Sequence, residues 1–119
     1  MNDHEAKRAT IATRLKVARL QAGLSQGQVA HLLNLHRPSI SEVEAGRRKV
    51  SAEELTKLAR IYGVSATWLT GEEGSATTET DIRTEVAARE LAKLKPEDLD
   101  RVLQLLATLR TTPEGKADE

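Results

Sequence analysis

Apolar residues recur at helical spacing over the first seventy residues of the chain. Ile11, Leu15 and Ala18 lie four and three residues apart, so they share one face of a helix expected over residues 10–22. Similar short patterns continue to residue 71, and glycine follows most of them, which is typical of helix ends. Four further helices are expected, over about residues 26–33, 37–45, 52–62 and 66–70.

Polar residues at the predicted helix starts support this division. Ser25 and Gln28 have the spacing of a capping box, in which each side chain accepts a hydrogen bond from the other residue's backbone amide, and Ser51 and Glu54 have the same spacing. Pro38 falls in the first turn of the third helix, where its missing amide hydrogen costs little. A short helix, a tight turn and a second helix are therefore expected in succession.

The pattern changes after residue 71. Residues 72–80 have no apolar periodicity and predict a flexible linker, whereas residues 81–110 predict a helical hairpin whose second helix opens at Pro96. Residues 111–119 are expected to form a flexible tail. The second helix of the hairpin carries an apolar stripe, namely Leu99, Val102, Leu103, Leu106 and Leu109. Because this stripe is too apolar for a lone exposed helix, we expect the hairpin to pack against a second copy of the chain or against the front domain.

The composition favours an all-α fold and argues against several classes of function. The chain has no phenylalanine, one tryptophan and one tyrosine, so its core must be built from aliphatic residues. It has no cysteine, which excludes disulfides, thiolate metal sites and a cysteine nucleophile. His4, His31 and His36 lack the spacing of metal ligands, and no serine has the partners that activate a nucleophile. We therefore expect no metal, no cofactor and no enzymatic activity.

Charge is distributed unevenly along the chain although the net charge is zero. Residues 1–70 contain 11 lysines and arginines against 6 acidic residues, and residues 71–119 contain 7 against 12. A basic front half favours an anionic partner such as nucleic acid. No apolar run approaches the ~20 residues that a membrane helix needs, and the polar N-terminus lacks a signal-peptide core, so a cytoplasmic protein is expected.

The third expected helix has the size and polarity of a helix that enters the DNA major groove. At about 100° per residue, Ile40 and Val43 point towards the core. Pro38, Ser41 and Glu42 point away from it and offer no large apolar surface. Such a face suits the recognition of base edges, and it suits a solvated surface equally well.

Several motifs fall at fixed spacing over these five expected helices. They are Ala22-Gly23-Leu24-Ser25-Gln26, Val29-Ala30, Ser39-Ile40-Ser41, Val43-Glu44-Ala45-Gly46-Arg47-Arg48, Leu58-Ala59, Tyr62-Gly63-Val64-Ser65, Trp68-Leu69 and Gly71. In this arrangement residues 10–71 resemble the XRE-type, lambda-repressor-like helix-turn-helix domains. The resemblance implies a five-helix DNA-binding domain over those residues, ahead of the linker and the helical hairpin.

The resemblance also implies roles for individual residues. Base contacts are implied for four residues at the start and on the outer face of the recognition helix, namely Arg37, Pro38, Ser41 and Glu42. Phosphate contacts, which position the domain without reading sequence, are expected from Gln26, Ser39, Arg47, Arg48 and Lys49. Arg19 and Glu44 match a pair that joins the first helix to the recognition helix. Because Glu44 is expected at the inward edge of its helix, its charge needs such a partner.

Two positions depart from the family's pattern. Asn34 occupies the turn where many relatives have glycine, and asparagine tolerates the left-handed conformation that this turn needs. Pro38 stands where a residue often hydrogen-bonds to a base, and its side chain offers only apolar contact. A relative's DNA sequence therefore cannot be transferred to this chain.

The favoured function is a dimeric transcriptional repressor that reads a palindromic operator, because two-fold dimers match palindromic sites. Dimerisation is expected through residues 81–110. Two alternatives stay open: an antitoxin whose C-terminal segment binds a toxin protein, and a protein-interaction module that does not bind DNA. The run from Arg47 to Gly71 also resembles a subgroup found beside ImmA/IrrE-type metallopeptidases, which are a further candidate partner.

Overall fold

The computed structural model describes residues 3–73, 76 and 78–110, apart from the side chain of Arg37. Within these residues the chain forms seven α-helices and no strand, which confirms the all-α fold. The helices are α1 (Asp3–Gln21), α2 (Gln26–Leu32), α3 (Arg37–Glu44), α4 (Ala52–Tyr62), α5 (Ala66–Leu69), α6 (Glu79–Ala92) and α7 (Pro96–Arg110). Residues 74, 75 and 77 of the predicted linker and the whole predicted tail, 111–119, lie outside the described residues.

Helix α1 is longer than the apolar pattern predicts. It runs from Asp3, two turns ahead of residue 10, where the periodicity begins. Asp3 and Glu5 lie in its first turn, where acidic side chains interact favourably with the positive end of the helix dipole. The polar residues 3–9 thus continue the helix.

Side-chain caps start α2 and α4 at the two serines identified in the sequence, and Ser65 caps α5 by accepting from the Trp68 amide at 3.1 Å. Ser25 Oγ accepts from the Gln28 amide at 3.0 Å, and Gln28 Oε1 accepts from the Ser25 amide at 2.7 Å. Ser51 and Glu54 exchange the same two hydrogen bonds at 3.1 and 3.0 Å. Helix α3 is the exception, because the side chain of its N-cap residue, His36, makes no capping hydrogen bond.

The contacts divide the chain into two compact units, and the division falls inside α6. The first unit ends at Val86 and the second begins at Ala87. From the sequence the border is expected earlier, at the linker of residues 72–80, because the apolar periodicity is interrupted there. The difference arises because Ile82 and Val86, on the first turns of α6, are buried in the core of the first unit.

The core of the first unit draws on all six of its helices and is mainly aliphatic. Full burial of one Val, Leu or Ile side chain stabilises the fold by about 1.5–3 kcal/mol. The buried core residues are Leu15, Val17, Ala18, Val29, Ala30, Ile40, Val43, Leu58, Ala59, Tyr62, Trp68, Leu69, Ile82 and Val86. This core fixes the positions of α2 and α3.

The second unit contains no comparable core among its described residues. No residue of α7 is buried. In the predicted apolar stripe, Leu99 and Val102 are half-buried, whereas Leu103, Leu106 and Leu109 are 52%, 43% and 57% exposed. Helix α7 therefore presents a row of leucines to solvent.

Candidate nucleic-acid interface

A tight turn joins α2 to α3. Asn34 in this turn has a φ of 60°, the left-handed conformation that asparagine adopts more readily than most residues. The next amide, that of Leu35, donates to the Ala30 carbonyl at 2.8 Å and ties the turn to α2. The turn thus keeps a defined shape without a glycine.

Helix α3 has one face in the core and another in solvent. Ile40 and Val43 are buried. Pro38 is exposed, and Ser41 and Glu42 are half-buried, so the face that the sequence assigns to DNA is accessible. An α-helix with its side chains is about 10–12 Å across, which fits the width of the DNA major groove.

The carboxylate of Glu44 holds three helices together. It accepts from Arg19 Nε at 2.6 Å and Nη2 at 3.1 Å, which connects α3 to α1. It also accepts from Gln26 Nε2 at 3.0 Å, which connects α3 to α2. The third arginine nitrogen, Nη1, donates to the Leu24 carbonyl at 2.9 Å. With side-chain exposures of 10% and 5%, Arg19 and Glu44 form a buried, bidentate ion pair that fixes the end of the recognition helix.

Tyr62 lies close to this ion pair. Burial raises the pKa of its hydroxyl well above the usual range, and the negative charge of Glu44 acts in the same direction. The phenol therefore stays neutral at physiological pH and adds no charge to the cluster.

On the solvent side of α3, Glu42 is paired with Arg47 in the following loop. Arg47 Nε and Nη2 donate to the two carboxylate oxygens at 2.8 and 2.9 Å. These hydrogen bonds lower the pKa of Glu42 below its usual value of 4.5 and raise the pKa of Arg47. One predicted base contact and one predicted phosphate contact are thus partners of each other.

Arg48 and Lys49 continue the basic loop. Arg48 donates to both carboxylate oxygens of Glu54, at 3.4 and 3.0 Å, and so joins the capping box of α4. The hydrogen bond from Arg48 is the main cause that lowers the pKa of Glu54, and the bond from the Ser51 amide adds to it. Lys49 is exposed.

The remaining predicted contacts are placed as follows. Ser41 Oγ donates to the Pro38 carbonyl at 3.0 Å, one turn back along α3. Ser39 is half-buried near the start of the helix. The side chain of Arg37 lies outside the described part of the structure. Together with Gln26, which is bound to Glu44, these residues lie on α2, α3 or the loop after α3.

A second polar cluster, centred on Arg14, is not predicted from the sequence. This side chain is buried, and its Nη1 donates to the Trp68 carbonyl and to Glu85 Oε1, both at 3.2 Å. Its Nη2 donates to the Ala76 carbonyl at 2.7 Å, and its guanidinium lies 4.7 Å from the centre of the Trp68 ring. Trp68 Nε1 donates to the same Glu85 oxygen at 2.9 Å. The only signal in the sequence is that Arg14 falls on the apolar face of α1, three residues after Ile11.

Within the described ranges, the structure offers neither a metal site nor a membrane span. No group of three or more histidine, cysteine or acidic side chains is arranged to hold a metal ion. None of the described helices has the length and apolar character needed to cross a membrane.

A short capped helix, a tight turn and a second helix with an accessible polar face together form a helix-turn-helix motif. The Helix-turn-helix family pattern matches residues 15–69. Over 111 residues the chain is 34% identical to the HTH-type transcriptional regulator ImmR of Bacillus subtilis (strain 168), an alignment that covers 92% of this chain and 80% of that protein. The chain therefore belongs to the XRE-type helix-turn-helix transcriptional regulators, and it is a DNA-binding protein of that class.

Proposed function

We propose that this regulator is a non-catalytic, dimeric repressor that acts in the cytoplasm and reads a palindromic operator with α3 in the major groove. The observation that carries the proposal is the fixed orientation of α3. Ile40 and Val43 hold it from the core side and the Arg19–Glu44 pair holds its end, so its accessible face has one direction. A preorganised recognition helix loses little conformational freedom on binding.

Base recognition is assigned to Arg37, Pro38, Ser41 and Glu42. An arginine at the start of the helix has the geometry for a bidentate contact to guanine, which contributes about 1–3 kcal/mol of discrimination. Pro38 has only apolar surface and suits a thymine methyl group. Glu42 suits the amino group of cytosine, and its carboxylate disfavours registers that bring it close to phosphate.

Phosphate binding is assigned to five residues, of which Gln26, Arg47 and Arg48 hold intramolecular hydrogen bonds in the free chain. The Glu42–Arg47 pair is exposed, and water and salt screen such pairs, so it opens at little cost. Arg47 is then available to a phosphate while Glu42 faces a base. Lys49, Arg48, Ser39 and the second amide hydrogen of Gln26 complete the set of donors.

The second copy of the chain is proposed to bind along α7. Leu103, Leu106 and Leu109 form one exposed row, and an exposed leucine row of this kind favours a protein partner. We assign the row to a second copy because a two-fold dimer presents two recognition helices to the two halves of a palindromic site. A toxin protein or a metallopeptidase on the same face is the alternative occupant.

Selection of bound duplexes from a random DNA pool tests base recognition. We expect the wild type to enrich a palindrome. Arg37→Ala should lose preference at one position in each half-site, whereas Lys49→Ala should weaken all duplexes alike. Arg60→Ala, which removes an exposed charge from α4, is the matched control and should change neither. If Arg37→Ala keeps the full wild-type preference, its assignment to a base is wrong.

Sedimentation equilibrium of the full chain tests the dimer. We expect Leu106→Glu to shift the wild-type dimer to monomer, while Leu20→Glu, at another exposed leucine, on α1, leaves it dimeric. The opposite result would place the interface on the first unit. A monomeric wild type would assign the leucine row of α7 to a different protein.

A further inference from the structure

Two basic segments that are distant in sequence meet at one groove in the first unit. The first turns of α1 contribute His4, Lys7 and Arg8, and the loop after α3 contributes Arg48 and Lys49. The groove has a volume of about 310 Å³. Its apolar lining is made by Ile11, Ala12, Val43 and Val50. Side chains of one charge type therefore surround a depression with an apolar floor.

The sequence of α1 explains how its basic residues reach the groove together. Lys7 and Arg8 lie three and four residues after His4, so the three side chains share one face of the helix with Ile11. The acidic residues of the same segment, Asp3 and Glu5, do not line the groove. The helix thus divides its charges, and only the basic ones face this site.

The groove also adjoins the proposed DNA surface. Arg48 and Lys49, which line the groove, belong to the loop after α3 to which phosphate contacts are assigned. A helix in the major groove lies between two phosphate backbones, so cations beside that helix meet phosphates rather than bases. Arg48 is already bound to Glu54. Lys7, Arg8 and Lys49 are therefore the basic side chains of the groove that are best placed to bind a new anionic partner.

We propose that this groove binds the DNA backbone, with Lys7 and Arg8 contacting phosphate next to the contact assigned to Lys49. The two turns of α1 before residue 10 would then enlarge the DNA-binding surface beyond residues 15–69, which match the family pattern. This inference rests on the proposed function. The proposed phosphate contacts add affinity for DNA of any sequence and give no preference among bases.

The test is the salt dependence of DNA binding by the full chain. The double variant Lys7→Gln/Arg8→Gln removes two charges from the groove. Lys57→Gln/Arg60→Gln removes two exposed charges from α4 and is the matched control. Each protein is titrated, over a range of salt concentrations, into the duplex selected by the wild type and into a random-sequence duplex. Circular dichroism verifies that both variants are folded.

For the groove variant we expect the slope of log K against log salt to become shallower by about 1.8, which is about 0.9 for each phosphate that the variant no longer neutralises. Affinity at low salt should fall by about ten- to a hundredfold on both duplexes, with the preference between them unchanged. The α4 variant should behave as the wild type does. A groove variant with the wild-type slope overturns the inference.

Two further outcomes separate this inference from the proposed function. A wild type that binds neither duplex refutes the proposed function itself, whereas a wild type that binds normally beside an unaffected groove variant refutes only the groove. Titration of the free protein with inorganic pyrophosphate tests whether a small anion binds in the groove. If pyrophosphate shifts the amide resonances of residues 4–8 and DNA binding is insensitive to the double variant, the groove serves a small phosphate compound and the inference is wrong.

Discussion

Two arginines five residues apart on α1 hold two different regions of the first unit. Arg19 is paired with Glu44 and fixes the recognition helix, while Arg14 is paired with Glu85 and fixes the start of α6. The Arg19 pair is short and bidentate, with its closest contact at 2.6 Å. The Arg14 pair is longer, at 3.2 Å, and shares its donors with the backbone carbonyls of Trp68 and Ala76.

The difference lies in how much each region depends on one carboxylate. Glu44 has a side-chain exposure of 5%, and it is the acceptor for both Arg19 and Gln26. Glu85 is 27% exposed, and without it Arg14 would keep two carbonyl acceptors and the face of Trp68. The polar anchoring of the recognition helix therefore depends on one carboxylate, whereas that of the start of α6 is spread over several acceptors.

Loss of the single anchor should have the largest effect. We expect Glu44→Ala to destabilise the fold by about 3–5 kcal/mol, because it leaves the guanidinium of Arg19 buried without its counter-charge. Urea unfolding followed by circular dichroism measures this. Glu42→Ala, which removes a carboxylate of the same helix from an exposed pair, is the control and should change little. Similar unfolding midpoints for the two variants would show that the Glu44 cluster is not an anchor.

Loss of one of several anchors should have an intermediate and local effect. Glu85→Ala is expected to cost about 1–3 kcal/mol, since it removes hydrogen bonds to charged and indole donors at a partly exposed site. Amide exchange should quicken over residues 79–86 and stay unchanged in α3. Because Trp68 is the only tryptophan, its emission should shift as its indole loses an acceptor.

Glu90→Ala is the matched control for that variant, because it breaks a surface pair with Lys93 farther along α6. It should leave the Trp68 emission as it is. If amide exchange in the Glu85→Ala variant quickens in α3 as much as in α6, the two regions are not anchored independently of each other.

The smallest effect is expected at a third arginine pair, Arg48–Glu54, which is the most exposed of the three. Glu54→Gln should cost about 0.2–1 kcal/mol at neutral pH, with the cap geometry retained. The folded-state pKa of Glu54 is lowered, so its contribution is present above its usual pKa of 4.5 and is lost as the pH falls through the lowered value. Acid titration of unfolding should show a correspondingly weaker loss of stability in Glu54→Gln.

Glu53→Gln is the control for the acid titration, since Glu53 is 80% exposed on the same turn of α4. We expect its stability to follow the wild type through the acid range. If the wild type, Glu54→Gln and Glu53→Gln lose the same amount of stability in acid, the charge of Glu54 contributes nothing to stability.

Local rules explain why much of the fold is readable from the sequence. Ser25 and Ser51 cap helices through residues three positions away, and Ile40 and Val43 reveal the inner face of α3 by spacing alone. The Arg19–Glu44 contact is implied by the family resemblance rather than by the residues themselves. The base and phosphate contacts also rest largely on that resemblance, and they stay predictions.

Contacts between distant residues account for what the sequence does not reveal. Arg14 and Glu85 are 71 positions apart, and no sequence pattern around either residue predicts that the two are in contact. The polar residues before Thr10 have no periodicity that would distinguish a helix from a loose end, although α1 includes them. The position of the border between the two units, inside α6, could not be predicted from the sequence for a similar reason. Burial of Ile82 depends on a surface that is assembled from other helices.

The sharing of Glu44 between two donors has a genetic consequence. Arg19, Gln26 and Glu44 form one hydrogen-bonded unit, so substitutions at these positions will show epistasis. Once Arg19 or Glu44 is replaced, a change at the other residue finds the ion pair already broken and does less harm than it would alone. These three positions are therefore expected to covary among related sequences.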